Sequence, residues 1–393
     1  MLQLPIIDKL KKHYFLSQPH QPFFLVAFIN AILSMSLFGL FFEGILTAVV
    51  PAKFYHAYSV MFLLFTPAFL AFLFTTFPRF SATEPIEQED YIRVLLFYIL
   101  GSILVLLGIF ISTPLFSTGI FLTFIAHGFA LKILFAIYKK STMEDKEDQF
   151  WILVASSFGL LSHFLFLTTL WIPQLYLFTV QVAIYLYLFL LIFTVAQRMV
   201  PFFSHAPIEK HMERFKVIIG FLGLHILLEL IQHNASFLAD FFLTYLFTRE
   251  LIRWKLPFPN TNPLVWILHI SLFWIPIAFF ITGLTSLIEL INGSNFLYLG
   301  IHSLALGFFL TMLIGFGTRV TLGHSGNMMK ADKYTTYLFY WTQVVVIMRL
   351  ITSFSDNFLL FFELSIMVWL IMFIAWGFRF FKVLIFGKKL EEK

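Results

Sequence analysis

Histidine is the residue type in this sequence with the greatest capacity for chemistry. Six histidines fall within or at the ends of long apolar segments, where the ring nitrogens need partners. Imidazole is a natural ligand of iron and copper. The sequence therefore indicates a metal or haem site in apolar surroundings, although a single membrane histidine more often hydrogen-bonds a neighbouring helix. The six are His56, His127, His163, His225, His269 and His302.

Two of these histidines suit haem, because they lie toward the same predicted face of the membrane on separate segments. His56 opens the second apolar segment and His302 lies near the start of the tenth. Imidazoles from two helices can bind the two faces of a haem iron. The chain has no cysteine, which excludes thiolate ligation, cysteine-held iron–sulfur clusters and CxxCH haem attachment.

The remaining histidines are candidates for a second metal. His163 and His225, with His127 as a further member, are predicted copper ligands, and His269 is a further metal candidate. Glu229 follows His225 by four residues on the same helix face, so we expect it to orient that imidazole.

The composition places these residues in a membrane. Of the 393 residues, 60% are hydrophobic and 12% are charged, whereas a soluble domain is roughly half apolar and a quarter charged. The formal charge is +5, but Lys and Arg lie between apolar segments and form no continuous basic face. This distribution excludes nucleic acid as a partner and indicates the lipid bilayer.

The pattern of apolar segments predicts an all-α membrane protein with about twelve transmembrane helices. Each segment approaches the roughly 20 residues that a helix needs to cross the hydrocarbon. We expect one polytopic domain over 1–393, with tails at 1–21 and 387–393 and helices over about 22–386. The segment 236–250 is short and carries Asp240, so it could instead be a re-entrant segment that does not cross the membrane. The predicted spans are 22–49, 56–77, 92–113, 115–138, 150–172, 175–197, 214–232, 236–250, 264–290, 297–318, 335–354 and 357–381.

The basic residues predict the orientation. With the N-terminus inside, 23 of the 26 Lys and Arg residues fall in or beside cytoplasmic segments, as the positive-inside rule requires. The first apolar run is too long for the apolar region of a signal peptide. We therefore expect a multi-pass protein of a bacterial inner membrane with both termini in the cytoplasm.

The end of the tenth segment carries the most distinctive motif. It is Arg319-Val-Thr-Leu-Gly-His324-Ser-Gly326, with His302 upstream. Gly323 to Gly326 is predicted to form a tight turn whose amides and imidazole bind an anion or orient Arg319. This stretch resembles the signature of the NnrS family of membrane proteins.

Other blocks extend the resemblance over nearly the whole chain. The family's second His and its Glu after His-Ala are replaced here by Tyr58 and Ser59, which puts any metal or proton site at those positions in doubt. The family's Arg before Pro-Phe-Phe-Leu is replaced by Gln21. The similar blocks are Pro22-Phe23-Phe24-Leu25, Phe54-Tyr55-His56-Ala57, Leu161-Ser162-His163, Arg198-Met199-Val200-Pro201-Phe202-Phe203 and the single position His269.

The resemblance implies a haem- and copper-containing inner-membrane protein tied to denitrification and nitric oxide tolerance. It implies a bundle similar to the main subunit of haem–copper oxidases, with haem expected to be b-type and His56 and His302 as its axial ligands. Arg319, His324 and Arg198 would assist cofactor binding.

The expected partners are nitric oxide or another diatomic ligand and a respiratory or denitrification protein. Catalysis, sensing and sequestration remain open. The alternatives are a secondary transporter for a metal, haem or small anion, and an assembly factor that passes haem or copper to a reductase.

Overall fold

Twelve helices make up the part of the chain that the structure, a computed structural model, describes: residues 13–206, 208 and 212–390. No strand occurs among these residues. Residues 1–12 and 391–393 of the predicted tails lie outside the described part. The helices are α1 (His20–Phe42), α2 (Ala52–Phe80), α3 (Gln88–Ile111), α4 (Thr113–Lys140), α5 (Glu147–Thr168), α6 (Pro173–Phe203), α7 (Met212–Ile231), α8 (Phe237–Trp254), α9 (Pro263–Asn292), α10 (Leu299–His324), α11 (Lys333–Thr352) and α12 (Phe358–Phe386).

Each predicted segment corresponds to one of these helices, but some ends differ. The first segment was expected to continue to residue 49, whereas α1 ends at Phe42. Gly44 adopts the left-handed conformation with φ of 72°, and the amides of Ile45 and Leu46 both donate to the carbonyl of Leu40. This arrangement closes the last turn of the helix and releases the chain into a loop.

The tenth segment was expected to end at 318, and this prediction is wrong. Helix α10 continues to His324, so Gly323 and His324 belong to the helix rather than to a tight turn. The turn comes after them, where Gly326 has φ of 66°. Gly323 lies inside the helix because a single glycine weakens a helix without ending it.

Nine of the twelve described helices are long and apolar enough to cross a membrane. The other three are α7, α8 and α11. Helices α7 and α8 carry several charged residues, among them Glu229 and Asp240, and α11 is rich in Thr and Tyr. The chain is a multi-pass membrane protein, and twelve crossings stay a prediction.

Large apolar side chains cover the outer faces of these helices. On α3 the exposed residues Leu100, Ile103, Leu107 and Phe110 recur every three or four positions, which is the spacing of one helix face. Such a stripe is costly in water and is favoured in hydrocarbon. The described surface therefore indicates a lipid bilayer as the environment.

The described residues group into two compact units. The first contains described parts of Met1–Ala183, Gly317–Met329 and Phe373–Lys393. Within it, α3 and α4 form a close hairpin joined at Ser112, whose hydroxyl accepts from the amide of Leu115. Helix α2 is the most buried candidate span of the chain.

The second unit contains Ile184–Phe316 and Lys330–Met372, again as far as they are described. Helices α8 and α9 pack closely in it. Trp274 of α9 donates from its indole nitrogen to Oε1 of Gln343 in α11, over 2.8 Å. The hydroxyl of Ser271 donates to the carbonyl of Phe308 in α10, over 3.2 Å.

Three helices contain a π-helical segment, and these helices lie four apart in the chain. The segments are Ser59–Phe65 in α2, Val182–Phe189 in α6 and Ser303–Leu310 in α10. Wide turns of this kind often occur at functional sites, because they displace side chains from the regular helical spacing.

Candidate metal and cofactor sites

The first unit contains a buried polar cluster on α2, α4 and α5, formed by Tyr58, Thr123, His127 and His163. Nδ1 of His127 lies 3.4 Å from Nδ1 of His163. On the other side of the His163 ring, Nε2 lies 3.0 Å from the Tyr58 hydroxyl and 3.3 Å from that of Thr123. All four side chains are buried. The sequence prediction grouped His163 with His225, and with His127 as a further member. The structure places His163 against His127, whereas His225 contacts Asp240 within the second unit.

The hydrogen bonds of this cluster allow one imidazole nitrogen of His163 to act as a ligand. The Thr123 hydroxyl donates to the carbonyl of Ile120 at 2.8 Å and accepts from Tyr58 at 2.6 Å. In that arrangement Nε2–H of His163 donates to the Tyr58 oxygen, and the lone pair of Nδ1 faces His127. Hydrogen bonding of the outer ring nitrogen is typical of metal-bound histidines.

Tyr58 therefore has a defined place, although it replaces a histidine of the family pattern. It cannot contribute an imidazole, but its hydroxyl holds the His163 ring. Ser59 bonds locally, because its hydroxyl donates to the carbonyl of Tyr55 at 2.7 Å.

His56 lies in α2, three residues before the π-helical segment. Its ring stacks on that of Phe38, with 4.2 Å between centroids and 27° between the planes. The side chain is half-buried. Stacking orients the imidazole plane, which is what an axial ligand requires.

His302 directly precedes the π-helical segment of α10, in the second unit. Its Nδ1 lies 2.9 Å from the carbonyl of Tyr298 and 3.2 Å from Nη2 of Arg349. Nδ1 cannot donate and accept at once. Because Arg349 also donates to the carbonyl of Leu297 at 2.7 Å, we assign the proton to Nδ1 of His302 and the bond to Tyr298. This tautomer puts the ring's lone pair on Nε2, as in many metal-binding histidines.

His225 is held by a different carboxylate from the one expected. Its Nδ1 lies 2.6 Å from Oδ1 of Asp240 in α8. Glu229, which the sequence indicated for this role, bonds His233 through Oε2 at 2.9 Å. The reason is tertiary: Asp240 reaches the ring from a neighbouring helix, which a helical-face argument within α7 cannot predict. The role of His225 as a copper ligand stays a prediction.

His269 and Arg198 occupy less distinctive positions. Nε2 of His269 lies 2.6 Å from the hydroxyl of Ser204, and its buried Nδ1 has no hydrogen-bond partner among the described residues. Arg198 lies in α6, sixteen residues after Val182, where the π-helical segment begins; Arg319 lies sixteen residues after Ser303, which begins that of α10. Their roles stay predictions.

The distinctive motif at the end of α10 lies in the first unit. Nδ1 of His324 donates to Oε1 of Gln18 at 2.9 Å, and the His324 ring lies 5.2 Å from that of His20. The turn was expected to present amides to an anion. Instead, the carbonyls of Ser325 and Gly326 accept from Nζ of Lys389, so the turn contacts a cation.

No group of three or more His, Asp or Glu side chains that could hold a metal ion occurs among the residues described. The strongest arrangement for a metal is therefore the two-imidazole pair of His127 and His163. The sequence identified these histidines by type and depth. Nothing in the sequence indicated that Asp240 contacts His225 or that Arg349 lies beside His302. In each case the two residues lie on different helices, so no helical spacing relates them.

The fold and these side chains define a class of protein: polytopic, all-helical membrane proteins with histidines along their membrane helices. The family model described as NnrS protein matches residues 14–386. The match covers nearly the whole chain, and the chain belongs to the NnrS family, as the motifs had indicated. A search of curated proteins finds no match.

Proposed function

We propose that this chain is a haem- and copper-binding membrane protein of the nitric oxide response, linked to denitrification. The observation that carries the proposal is the similar placement of His56 and His302. His56 lies three residues before the π-helical segment of α2, and His302 directly precedes that of α10. Each segment is followed by a threonine, Thr66 or Thr311, whose hydroxyl bonds the carbonyl five residues before it.

The residues present are compatible with haem. Stacking on Phe38 orients the ring of His56, and the bond to Tyr298 assigns the tautomer of His302. His56 and His302 are the candidate imidazole ligands of the haem, whose iron would bind nitric oxide in place of one of them. Arg319, His324 and Arg198 would neutralise charge on the cofactor.

The pair of His127 and His163 is compatible with copper. Their Nδ1 atoms are 3.4 Å apart, and two metal–imidazole bonds of roughly 2 Å each would require only a small opening of the pair. Tyr58 and Thr123 would hold the outer nitrogen of His163. The proposal does not use His225, because the contact described for its Nδ1 is with the carboxylate of Asp240 rather than with a second imidazole. In this proposal His269 stays a further candidate metal ligand without an assigned partner ligand.

Nitric oxide would reach the site through lipid, since the gas is apolar and the helices are covered by apolar side chains. A respiratory or denitrification partner would exchange electrons with the protein or receive its product.

The absorption spectrum of the purified full chain tests the proposal. A haem Soret band that shifts when nitric oxide is added to the reduced protein is expected. His56→Ala and His302→Ala should each lose or displace the band, whereas His13→Ala, at an exposed position, should retain it. A protein without a Soret band after expression with adequate haem would overturn the haem assignment.

A secondary transporter is the second candidate, and one observation favours it. Buried Glu229 and Asp240 lie on α7 and α8, and intramembrane carboxylates often mark ion pathways. Uptake of a metal, haem or small anion into proteoliposomes by a protein with no bound chromophore would favour this function over the first.

A further inference from the structure

Helices α7 and α8 carry a set of ionisable side chains that the haem and copper proposal does not use. We name Glu229, His233, Asp240 and His225 the α7–α8 acid cluster. The cluster lies in the second unit, near the loop that joins the two helices. Both carboxylates are buried: the side chains of Asp240 and Glu229 are 0% and 6% exposed.

The two carboxylates have different partners. Asp240 faces His225, with 2.6 Å between Oδ1 and Nδ1, and the Ser236 hydroxyl is a further neighbour. Oδ2 of Asp240 is buried and has no hydrogen-bond partner among the described residues. Oε2 of Glu229 bonds Nδ1 of His233, while Oε1 of Glu229 is buried and has no hydrogen-bond partner among the described residues.

A charged Glu229 would therefore be poorly compensated. An isolated buried carboxylate is costly, and a second carboxylate nearby raises the cost. Asp240 is close enough to Glu229 for such repulsion, and Tyr185 of α6 is a further titratable neighbour of both acids. Protonation of Glu229 would remove its charge and give the carboxyl group an O–H that can donate a hydrogen bond.

His233 connects this buried acid to water. Its side chain is 68% exposed, although its Nδ1 reaches Glu229. His225 and Glu229 are four residues apart on one face of α7, and His233 lies in the turn just beyond the end of that helix at Ile231. Imidazole exchanges protons near neutral pH, which makes His233 a suitable relay between solvent and a buried carboxyl.

The packing keeps space for the cluster. A Cβ atom at Gly283 of α9 would lie 3.2 Å from Cβ of Asp240. A larger residue at position 283 would contact the Asp240 side chain too closely, so the glycine provides the space that Asp240 occupies between α8 and α9.

We propose that Glu229 is a proton-binding site that exchanges with water through His233, on the side of the membrane that the basic residues predict to be external. In the transfer, the proton leaves Nδ1 of a protonated His233 and binds Oε2 of Glu229. The pair then consists of a neutral imidazole and a neutral carboxyl, and the reverse transfer returns the proton to water. The site is independent of the haem and copper proposal.

Infrared spectroscopy of the purified full chain tests this site. In a pH titration, the wild-type protein should show the C=O band of a protonated carboxyl group, and this band should shift in D2O. Glu229→Gln should abolish the band. The matched control is Glu289→Gln, because Glu289 of α9 is only half-buried and accepts from the amide of Phe296; that variant should retain the band.

His233→Ala tests the relay without altering a buried residue. It should keep the band but slow its exchange in D2O by about tenfold or more. His205→Ala, an exposed histidine after α6, should exchange like wild type. A folded wild-type protein with no carboxyl band, a band that persists in Glu229→Gln, or unchanged exchange in His233→Ala would overturn the proposal.

Discussion

Asn30 illustrates how a single polar residue is placed inside this protein. From α1, its side-chain amide donates to the carbonyl of Leu63 and to the hydroxyl of Ser102, both at 3.0 Å. Leu63 lies in the π-helical segment of α2. A wide turn weakens regular backbone bonding, and Tyr98 donates in the same way to the neighbouring carbonyl of Phe62. These side chains therefore stabilise the segment that follows His56.

Replacing Asn30 by leucine tests this role. Asn30→Leu keeps the volume but leaves the Leu63 carbonyl short of a donor, so we expect a loss of about 1 kcal/mol. Thermal unfolding in detergent should show a lower midpoint. Ser36→Ala is the control, because Ser36 bonds only the carbonyl of Ile32 in its own helix. Equal midpoints for Asn30→Leu and wild type would contradict the role.

At the residue scale, the sequence predicted side-chain types better than partners. His163 was grouped with His225, and with His127 as a further member, and its contact is with His127. Asp240 was noted only as an oddity of a short segment, yet it holds His225. Partners across helices depend on helix rotation, and apolar residues surround the whole of each buried helix, so no apolar stripe in the sequence reports that rotation.

At the scale of elements, the closest helix pair is α3 with α4. A Cβ atom at Gly108 would lie 2.5 Å from the backbone nitrogen of Phe116. Backbone atoms cannot move aside as a flexible side chain can. Small residues at such positions allow membrane helices to pack by van der Waals contact along their length.

Gly108→Ala should therefore destabilise the protein by about 1–3 kcal/mol through overpacking. The matched control is Gly220→Ala in α7, where nothing lies within 4 Å of the added Cβ. That control should be neutral or gain up to about 1 kcal/mol of helix propensity. Melting midpoints of the two variants in the same detergent compare them, and similar midpoints would refute close packing at Gly108.

The π-helical segments are features of the helices that the sequence did not predict. Hydropathy identified every helix, since an apolar run of sufficient length is decisive. It could not reveal a π-helical turn, because wide and regular turns use the same apolar residues. Only Thr66 and Thr311, after two of the three segments, mark them locally. The end of α10 was misplaced for a related reason, since glycine and histidine both permit a helix to continue.

At the scale of the whole molecule, the number of crossings determines which side each site faces. Helices α7, α8 and α11 are less apolar than the other nine. Their polar residues have partners inside the protein: Asp240 with His225, and Gln343 with Trp274. Mean hydropathy ignores such pairing, which is why these three helices are the uncertain part of a sequence-based count.

Single cysteines can test the α7–α8 hairpin, because the chain has none of its own. Gln232→Cys lies between α7 and α8, and Thr261→Cys lies between α8 and α9; both positions are exposed. We expect an impermeant maleimide to label Gln232→Cys from the external side and Thr261→Cys only after the membrane is opened. Asn295→Cys, between two long apolar helices, is the external control. Protection of Gln232→Cys would contradict the twelve-helix topology.

The most direct test of the central claim is low-temperature electron paramagnetic resonance of the purified, oxidised protein. Two imidazole ligands predict a low-spin ferric haem signal in the wild-type chain, and His56→Ala and His302→Ala should each convert it to high spin or lose the haem. His13→Ala should leave the signal unchanged. A haem signal that is identical in all four proteins, or no ferric haem signal in haem-supplied wild-type protein, would contradict the assignment of His56 and His302.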